Sequence, residues 1–332
     1  MEKISLIIPC RNEEKYLSRC LDSILNNDYP KEFLEVFIVD GLSGDSSQKI
    51  IKDYENRFSF IHLLLNENKT VPYAMNLGIK NSTGEYIIRL DAHSEIPNDY
   101  ISKLIFWSKK LTADNIGAIW ITDIKNKNLK SNSIKKVLSN KIGVGNSFFR
   151  IGLDQIKEVD TVPFGCYKKN VFEKIGLYNN KLTRNQDIEL NKRLKSSGGK
   201  IYLLPDLFCT YYARETFWEL SKNNYLNGLW NILTVYITKR IYSVSIRHFI
   251  PLIFLLSIIL PVISMIWNPL FGYAAVVFSV IYILTILTAS LKIRDEHSSF
   301  YFIFLTFIIL HFSYGFGSLI GLFRINFLYK RN

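Results

Sequence analysis

Glu85-Tyr-Ile-Ile-Arg-Leu-Asp-Ala-His93 is the stretch on which the reading of this 332-residue chain turns. Its first six residues have the β-branched and aromatic character of a buried strand, and the run stops at Asp91-Ala92-His93. In extended chain Asp91 and His93 would share one face, because side chains two apart point the same way. A carboxylate and an imidazole at a sheet edge can hold a divalent ion, and such an ion can hold a diphosphate. The ordinary reading of an Asp-x-His triplet is a pair of loop residues, so its surroundings decide.

Upstream, Lys3–Cys10 reads as a strand, and Asn12 is placed to cap a helix with Glu13 and Glu14 in its first turn. Leu17, Cys20, Leu21, Ile24 and Leu25 then fall on one helical face. Phe33–Asp40 is a second strand. Asp45 with Gln48 resembles a capping box, and Ile50, Ile51, Tyr54 and Phe58 give the next helix its apolar stripe. Ile61–Leu65 is a third strand, and Thr70–Lys80 reads as a helix before the strand Glu85–Leu90. This rhythm implies right-handed βαβ units and a parallel sheet, with ligands at the carboxyl ends of the strands. Those ends carry Pro9 to Asn12, Asp40 to Asp45 and Asp91 to His93. No Gly-x-Gly-x-x-Gly or phosphate-binding P-loop follows the first strand, which counts against dinucleotide enzymes and NTPases.

Downstream, Thr161–Tyr167 is an apolar segment containing Gly165, and Thr183–Leu194 reads as a helix with Asp187 near its start. Asp187 has two readings: a first-turn acid stabilised by the helix dipole, or a catalytic base. Gly198-Gly199 ends that helix, and Lys200–Pro205 is another strand.

Composition divides the chain. Residues 1–240 read as a soluble α/β domain, and residues 247–325 as a membrane domain. The blocks His248–Trp267, Leu270–Leu291 and Phe300–Phe323 each meet the requirement of about 20 apolar residues per span. About three transmembrane helices are expected. Gly315, Gly317 and Gly321 suggest either close helix packing or a re-entrant segment in the third block. Ile4–Pro9 is too short for the apolar core of a signal peptide, so the catalytic part is expected in the cytoplasm, anchored to the inner cell membrane. Lys239, Arg240 and Arg247 before the first block agree with positive residues inside.

Cys10, Cys20, Cys166 and Cys209 show no metal-type spacing and read as buried reduced thiols. The net charge of +12 is scattered, without an arginine-rich tract or an aromatic recognition motif. Attraction to anionic lipid and phosphorylated substrates explains it more simply than nucleic acid does, and no nucleic-acid partner is expected.

Five segments together resemble glycosyltransferase family 2, whose GT-A fold is a Rossmann-like α/β domain with a mostly parallel sheet. They are Ile7-Ile-Pro-Cys-Arg-Asn-Glu-Glu14, Ile38-Val-Asp-Gly-Leu-Ser-Gly-Asp45, Ala74-Met-Asn-Leu-Gly78, Gly84-Glu-Tyr-Ile-Ile-Arg-Leu-Asp-Ala-His93 and Asn185-Gln-Asp-Ile-Glu189, in the family's order. The hydrophobic tail with His311-Phe-Ser-Tyr-Gly-Phe-Gly317 is further similar to membrane-bound enzymes of succinoglycan-type exopolysaccharide assembly.

The resemblance implies that Pro9, Arg11 and Glu13 line the nucleotide pocket and that Asp40 contacts the base. It puts Asp91 and His93 where the family's Asp-x-Asp grips Mn or Mg and the donor diphosphate. It makes Asp187 the base that deprotonates the acceptor hydroxyl. Gly165, Gln186 and Trp230 would belong to the acceptor side, with Gln186 where many relatives carry Glu. His93 in place of a second Asp lowers the site's negative charge, and Met75 stands where many relatives have Arg. Lys69 is either a substitute for that Arg or a solvated lysine. Asn224–Trp230 lacks the Arg of the acceptor motif of processive synthases, which argues against a long-chain polymerase.

The expected activity is therefore inverting, metal-dependent transfer from a nucleotide-diphosphate sugar to a lipid-linked saccharide, in capsule, exopolysaccharide or O-antigen assembly. A polyprenyl-phosphate sugar synthase and an inactive assembly scaffold are the alternatives. Phe217–Ile237 is either an interfacial helix presenting the acceptor or an ordinary packed helix.

Overall fold

The computed structural model describes residues 1–329. Packing divides them into two units, Met1–Ile121 with Gly152–Tyr212, and Thr122–Ile151 with the residues from Ala213 onward. This division follows contacts, so it falls differently from the hydropathy boundary near residue 240: residues 122–151 and 213–240 pack with the apolar tail.

The strands are β1 (Ile4–Cys10), β2 (Leu34–Asp40), β3 (Ile61–Leu65), β4 (Tyr86–Arg89), β5 (Ser94–Glu95), β6 (Asn115–Asp123), β7 (Lys157–Glu158), β8 (Cys166–Lys168) and β9 (Ile201–Tyr212). Among the described residues they form one sheet in the order β3-β2-β1-β4-β8-β6-β9-β5, with β7 on β9. β3, β2, β1 and β4 pair in parallel, as the βαβ rhythm requires. β8 then lies antiparallel to both β4 and β6, and β9 antiparallel to β5 and β7, so the sheet is mixed.

The helices of the first unit are α1 (Leu17–Leu25), α2 (Ser47–Arg57), α3 (Val71–Asn81) and α4 (Tyr100–Lys110). After the insertion α5 (Leu129–Leu138), α6 (Lys141–Val144) and α7 (Phe148–Ile151), α8 (Asn170–Ile175) and α9 (Gln186–Ser196) return to the sheet unit. Leu6 and Ile8 of β1, Val36 and Ile38 of β2 and Ile88 of β4 pack with Leu17, Leu21 and Ile24 of α1 and Ile101 and Leu104 of α4 in one core. α3 covers the opposite face. A Cβ on Gly78 would come within 2.5 Å of Ile7 Cγ2, so the glycine of Ala74-Met-Asn-Leu-Gly78 lets α3 close on β1.

Two helix-start readings are corrected. Asn12 does not cap a helix: it sits at φ 57°, and its Oδ1 accepts from Gly44 N at 2.9 Å. Gln48 does not reach back to Asp45 but donates to Asp40 Oδ2 at 2.7 Å. Asn12 thus serves a contact between the loops after β1 and β2, and Gln48 a contact from α2 back to the end of β2. β9 also continues beyond Pro205 to Tyr212.

The second unit holds α5 to α7 with α10 (Phe217–Thr238), α11 (Ile250–Ser264), α12 (Phe271–Ile293) and α13 (Phe300–Tyr329). Ile246–Ser264, Phe271–Ile293 and Phe300–Arg324 are long and apolar enough to cross a membrane. α13 is one continuous helix, so its glycines mark close packing and not a re-entrant turn. Gly317 faces the Tyr225 carbonyl of α10, and Gly228 of α10 faces the Tyr314 carbonyl. α10 is thus a packed helix along the face carrying Leu220, Gly228, Leu229 and Leu233. α5 docks on α12 and α13 through Val137, Ile286, Ile303 and Phe307, and Lys136 pairs with Asp295 at 2.9 Å. His311 Nε2 lies 2.9 Å from the Ile142 carbonyl of α6. Gly317→Val is expected to destabilise this unit by about 1–3 kcal/mol through overpacking. Thermal unfolding followed by tryptophan fluorescence reads it, and an unchanged midpoint would refute the close α10–α13 contact.

Candidate active site

The carboxyl ends of β1 and β2 are stitched together by their loops. Asn12 N donates to Ser43 Oγ at 2.9 Å, Glu13 N to Ser47 Oγ at 2.8 Å, and Glu14 N to Asp45 Oδ2 at 3.2 Å. Asp40 sits beneath this seam, wholly buried. Its Oδ1 accepts from Ser43 Oγ at 2.5 Å, and its Oδ2 from Ser43 N at 3.0 Å and Gln48 Nε2. The Asp40 carboxylate thereby holds the loop after β2. Pro9 is the last but one residue of β1, opposite Val39, and Arg11 is exposed, its Cδ passing over Gly41 beside the Lys69 backbone. Met75 is buried in α3, away from any such surface.

Asp91 and His93 do not lie in extended chain. β4 stops at Arg89, and Ser94 N donates to the Asp91 carbonyl at 3.0 Å, closing a turn. The two side chains are placed by different neighbours. Arg89 Nε and Nη2 both donate to Asp91 Oδ1, at 3.2 and 3.0 Å. His93 Nδ1 lies 3.1 Å from Glu13 Oε1, so Glu13 orients the imidazole. Tyr16 and Tyr211 flank the ring edge-on at 6.3 and 6.2 Å between centroids.

Among the described residues no three His, Cys, Asp or Glu side chains are grouped to hold a metal ion. Asp91 and His93 are two donors, and a Mg or Mn ion completed by substrate phosphates takes only one or two ligands from the protein. A carboxylate on Nδ1 favours the proton there and makes Nε2 the lone-pair nitrogen, the usual arrangement behind a metal-bound histidine. The donor set fits an ion that arrives with a diphosphate, not a resident cage.

Asp187 is the second residue of α9, after Asn185 in the left-handed conformation at φ 59°. It is half-buried, and its Oδ1 accepts from Ile188 N at 2.9 Å. Gln186 is buried, with Oε1 lacking a hydrogen-bond partner among the described residues. Gly165 lies between β4 and β6: its carbonyl accepts from Arg89 N at 3.1 Å, and a Cβ there would overlap the Asn115 amide. Its missing side chain is explained by packing. Trp230 belongs to α10 in the second unit, half-buried.

The sequence reading passed over Arg89. Asp91 and Asp187 both act on this arginine. Burial opposes its charge, and the two carboxylates more than offset that, so its pKa is raised. Tyr178 is the next neighbour, and burial pushes its hydroxyl up to about 12, so it stays protonated. Asn76 of Ala74-Met-Asn-Leu-Gly78 fixes Tyr178 from both sides of its backbone, at 2.9 Å each. An arginine between strand residues of otherwise apolar character was the available signal. The four cysteines are buried and unpaired, as expected, and burial pushes Cys10 up to about 12.

A sequence model of glycosyl transferase family 2 matches residues 5–176, just over half of the chain. The chain belongs to glycosyltransferase family 2. It is 32% identical over 237 residues to the dolichyl N-acetyl-alpha-D-glucosaminyl phosphate 3-beta-D-2,3-diacetamido-2,3-dideoxy-beta-D-glucuronosyltransferase of Methanococcus voltae, covering 69% of this chain and 72% of that protein. It is 24% identical over 220 residues to the succinoglycan biosynthesis protein ExoA of Rhizobium meliloti, covering 64% of this chain and 66% of ExoA. The family 2 fold extends to the mannosyltransferase PcManGT of Pyrobaculum calidifontis, solved with GDP-Man and Mn2+. That match has a TM-score of 0.62 at 14% identity and covers 97% of this chain and 88% of that one. The expected GT-A-like α/β domain and the family assignment are both upheld, and the protein is a glycosyltransferase.

Proposed function

We propose that this protein is a membrane-anchored inverting glycosyltransferase that moves a sugar from a nucleotide-diphosphate sugar to a lipid-linked saccharide in capsule, exopolysaccharide or O-antigen assembly. The observation that carries the reading is Asp91, held by two hydrogen bonds from the buried Arg89, with His93 turned toward Glu13, at the strand ends of a family 2 domain. Two carboxylates, Asp91 and Asp187, suit two tasks, one on the donor phosphates and one on the acceptor hydroxyl. The three apolar helices and the dolichyl-linked acceptor named for the archaeal relative support a membrane-bound acceptor.

Asp187 takes the proton from the acceptor hydroxyl as its oxygen attacks the anomeric carbon. The new C–O bond forms on the face opposite the nucleotide, the bond to the diphosphate oxygen breaks, and the electron pair leaves with the nucleoside diphosphate. Attack from the opposite face inverts the anomeric centre. A Mn or Mg ion held by Asp91, His93 and the donor phosphates would neutralise charge on that leaving group. Glu13 orients His93, and Asp40 secures the loop that, with Pro9 and Arg11, lines the nucleotide side. Gln186 lies beside Asp187 on the acceptor side, and Gly165 and Trp230 are assigned there by resemblance. Lys239, Arg240 and Arg247 favour a cytoplasmic catalytic unit on the inner membrane.

The test is a donor screen with purified protein, Mn or Mg, and two acceptors: a lipid-linked saccharide and bare polyprenyl phosphate. The proposal expects nucleoside diphosphate release dependent on the lipid-linked saccharide, with inverted anomeric configuration in the product by NMR. Transfer to bare polyprenyl phosphate would favour the sugar-phosphate synthase, and no release from any donor would favour the scaffold.

A further inference from the structure

The arginine at the end of β4 is placed for more than sheet stability. Its side chain is only 11% exposed, and both Nε and Nη2 converge on a single oxygen, Asp91 Oδ1. That leaves Oδ2 as the Asp91 oxygen for a donor-borne ion. Tyr178 is among the next groups to act on the guanidinium. The surroundings are held from several elements. Arg89 N is tied to Gly165 at the edge of β8, and Tyr178 is tied to Asn76 of α3. Asp187 stands at the head of α9.

We infer that Arg89 is a positioning residue for sugar transfer, a rigid planar cation that fixes Asp91 through two hydrogen bonds to one of its oxygens. This rests on the donor-side role proposed above for Asp91. Arg89 touches neither donor nor acceptor in this scheme. It aims the Asp91 carboxylate at the donor phosphates. A guanidinium suits this because its donors lie in one plane at fixed angles, whereas a lysine offers a single mobile charge.

The test uses the full-length protein and two variants, Arg89→Met and Arg89→Lys. Three quantities are read: the unfolding midpoint, calorimetric affinity for the tightest of UDP, GDP and dTDP with Mn, and kcat and KM for transfer. Arg89→Met is expected to weaken nucleotide binding by about 10- to 100-fold, as loss of a residue behind a metal ligand does. Arg89→Lys is expected to recover most of that affinity, since charge is kept. Its kcat should remain about 100-fold down, since small displacements at a reacting centre have effects of that order. A merely structural arginine would lower the unfolding midpoint and leave the folded Arg89→Lys protein with wild-type kcat, which would overturn the inference. If Arg89→Met does not fold, Arg89→Lys alone decides. Wild-type transfer by Asp187→Asn would defeat the base assignment separately, because the Arg89 effect on nucleotide binding does not pass through Asp187.

Discussion

Asp187→Asn is expected to slow sugar transfer by about two to four orders of magnitude, the usual contribution of a general base. Nucleotide binding should stay close to wild type. The substitution is nearly isosteric, and Asn keeps an oxygen to accept from Ile188 N as Asp187 does at 2.9 Å. The two hydrogen bonds from Arg89 to Asp91 are untouched. What is lost is the lone pair that takes the hydroxyl proton. The bland alternative, an acid stabilising the start of α9, predicts a different result. Asp at a helix N-terminus contributes about 0.3–1 kcal/mol to stability, and its loss would leave kcat alone. Single-turnover transfer with saturating donor, beside calorimetry of the nucleotide, separates the two. Transfer at the wild-type rate in a folded Asp187→Asn protein would remove this residue from the chemistry.

Why some of this was legible in the sequence and some was not comes down to distance along the chain. β1 to β4 and their helices are consecutive βαβ units, each made by residues close in sequence, so apolar periodicity and polar strand ends suffice to find them. The antiparallel half depends on remote partners. Ile87 pairs with Tyr167, and Asn115 pairs with the same Tyr167, so no local pattern announces β6 or β8. α5 and α6 escape for the same reason: α5 packs on α12 and α13, and α6 meets His311 of α13, more than a hundred residues later. At the site, Asp91, His93 and Asp187 were recognisable by type and order. Their local geometry was not, because the turn that carries Asp91 and His93 follows from Arg89 and Glu13 engaging them from different elements. The Asn76–Tyr178 link spans 102 residues and leaves no periodic trace.

Removing Asp91 should have two separable consequences, and choosing between Ala and Asn tells them apart. Asp91→Ala takes away a donor-side ligand and also leaves Arg89 buried with its main partner gone. Breaking one side of a buried ion pair destabilises by about 3–5 kcal/mol, so a loss of binding in that variant alone would be ambiguous. Asp91→Asn keeps an oxygen for Arg89 Nε and Nη2 and removes the negative charge. If Asp91 serves only to satisfy Arg89, Asn should restore both stability and nucleotide affinity. If Asp91 also binds an ion carried by the diphosphate, Asn should stay folded yet bind nucleotide less tightly with Mn present. The expected loss is about tenfold or more, since a hydrogen bond or ligand bond to a charged group contributes about 1.5–3 kcal/mol. Without the ion the wild type and Asp91→Asn should bind alike. His93→Ala is the matching control, for it removes the second donor without disturbing Arg89. Calorimetric titration of nucleotide with and without Mn reads all three variants. An Asp91→Asn protein with Mn-dependent affinity equal to wild type would confine Asp91 to its pairing with Arg89.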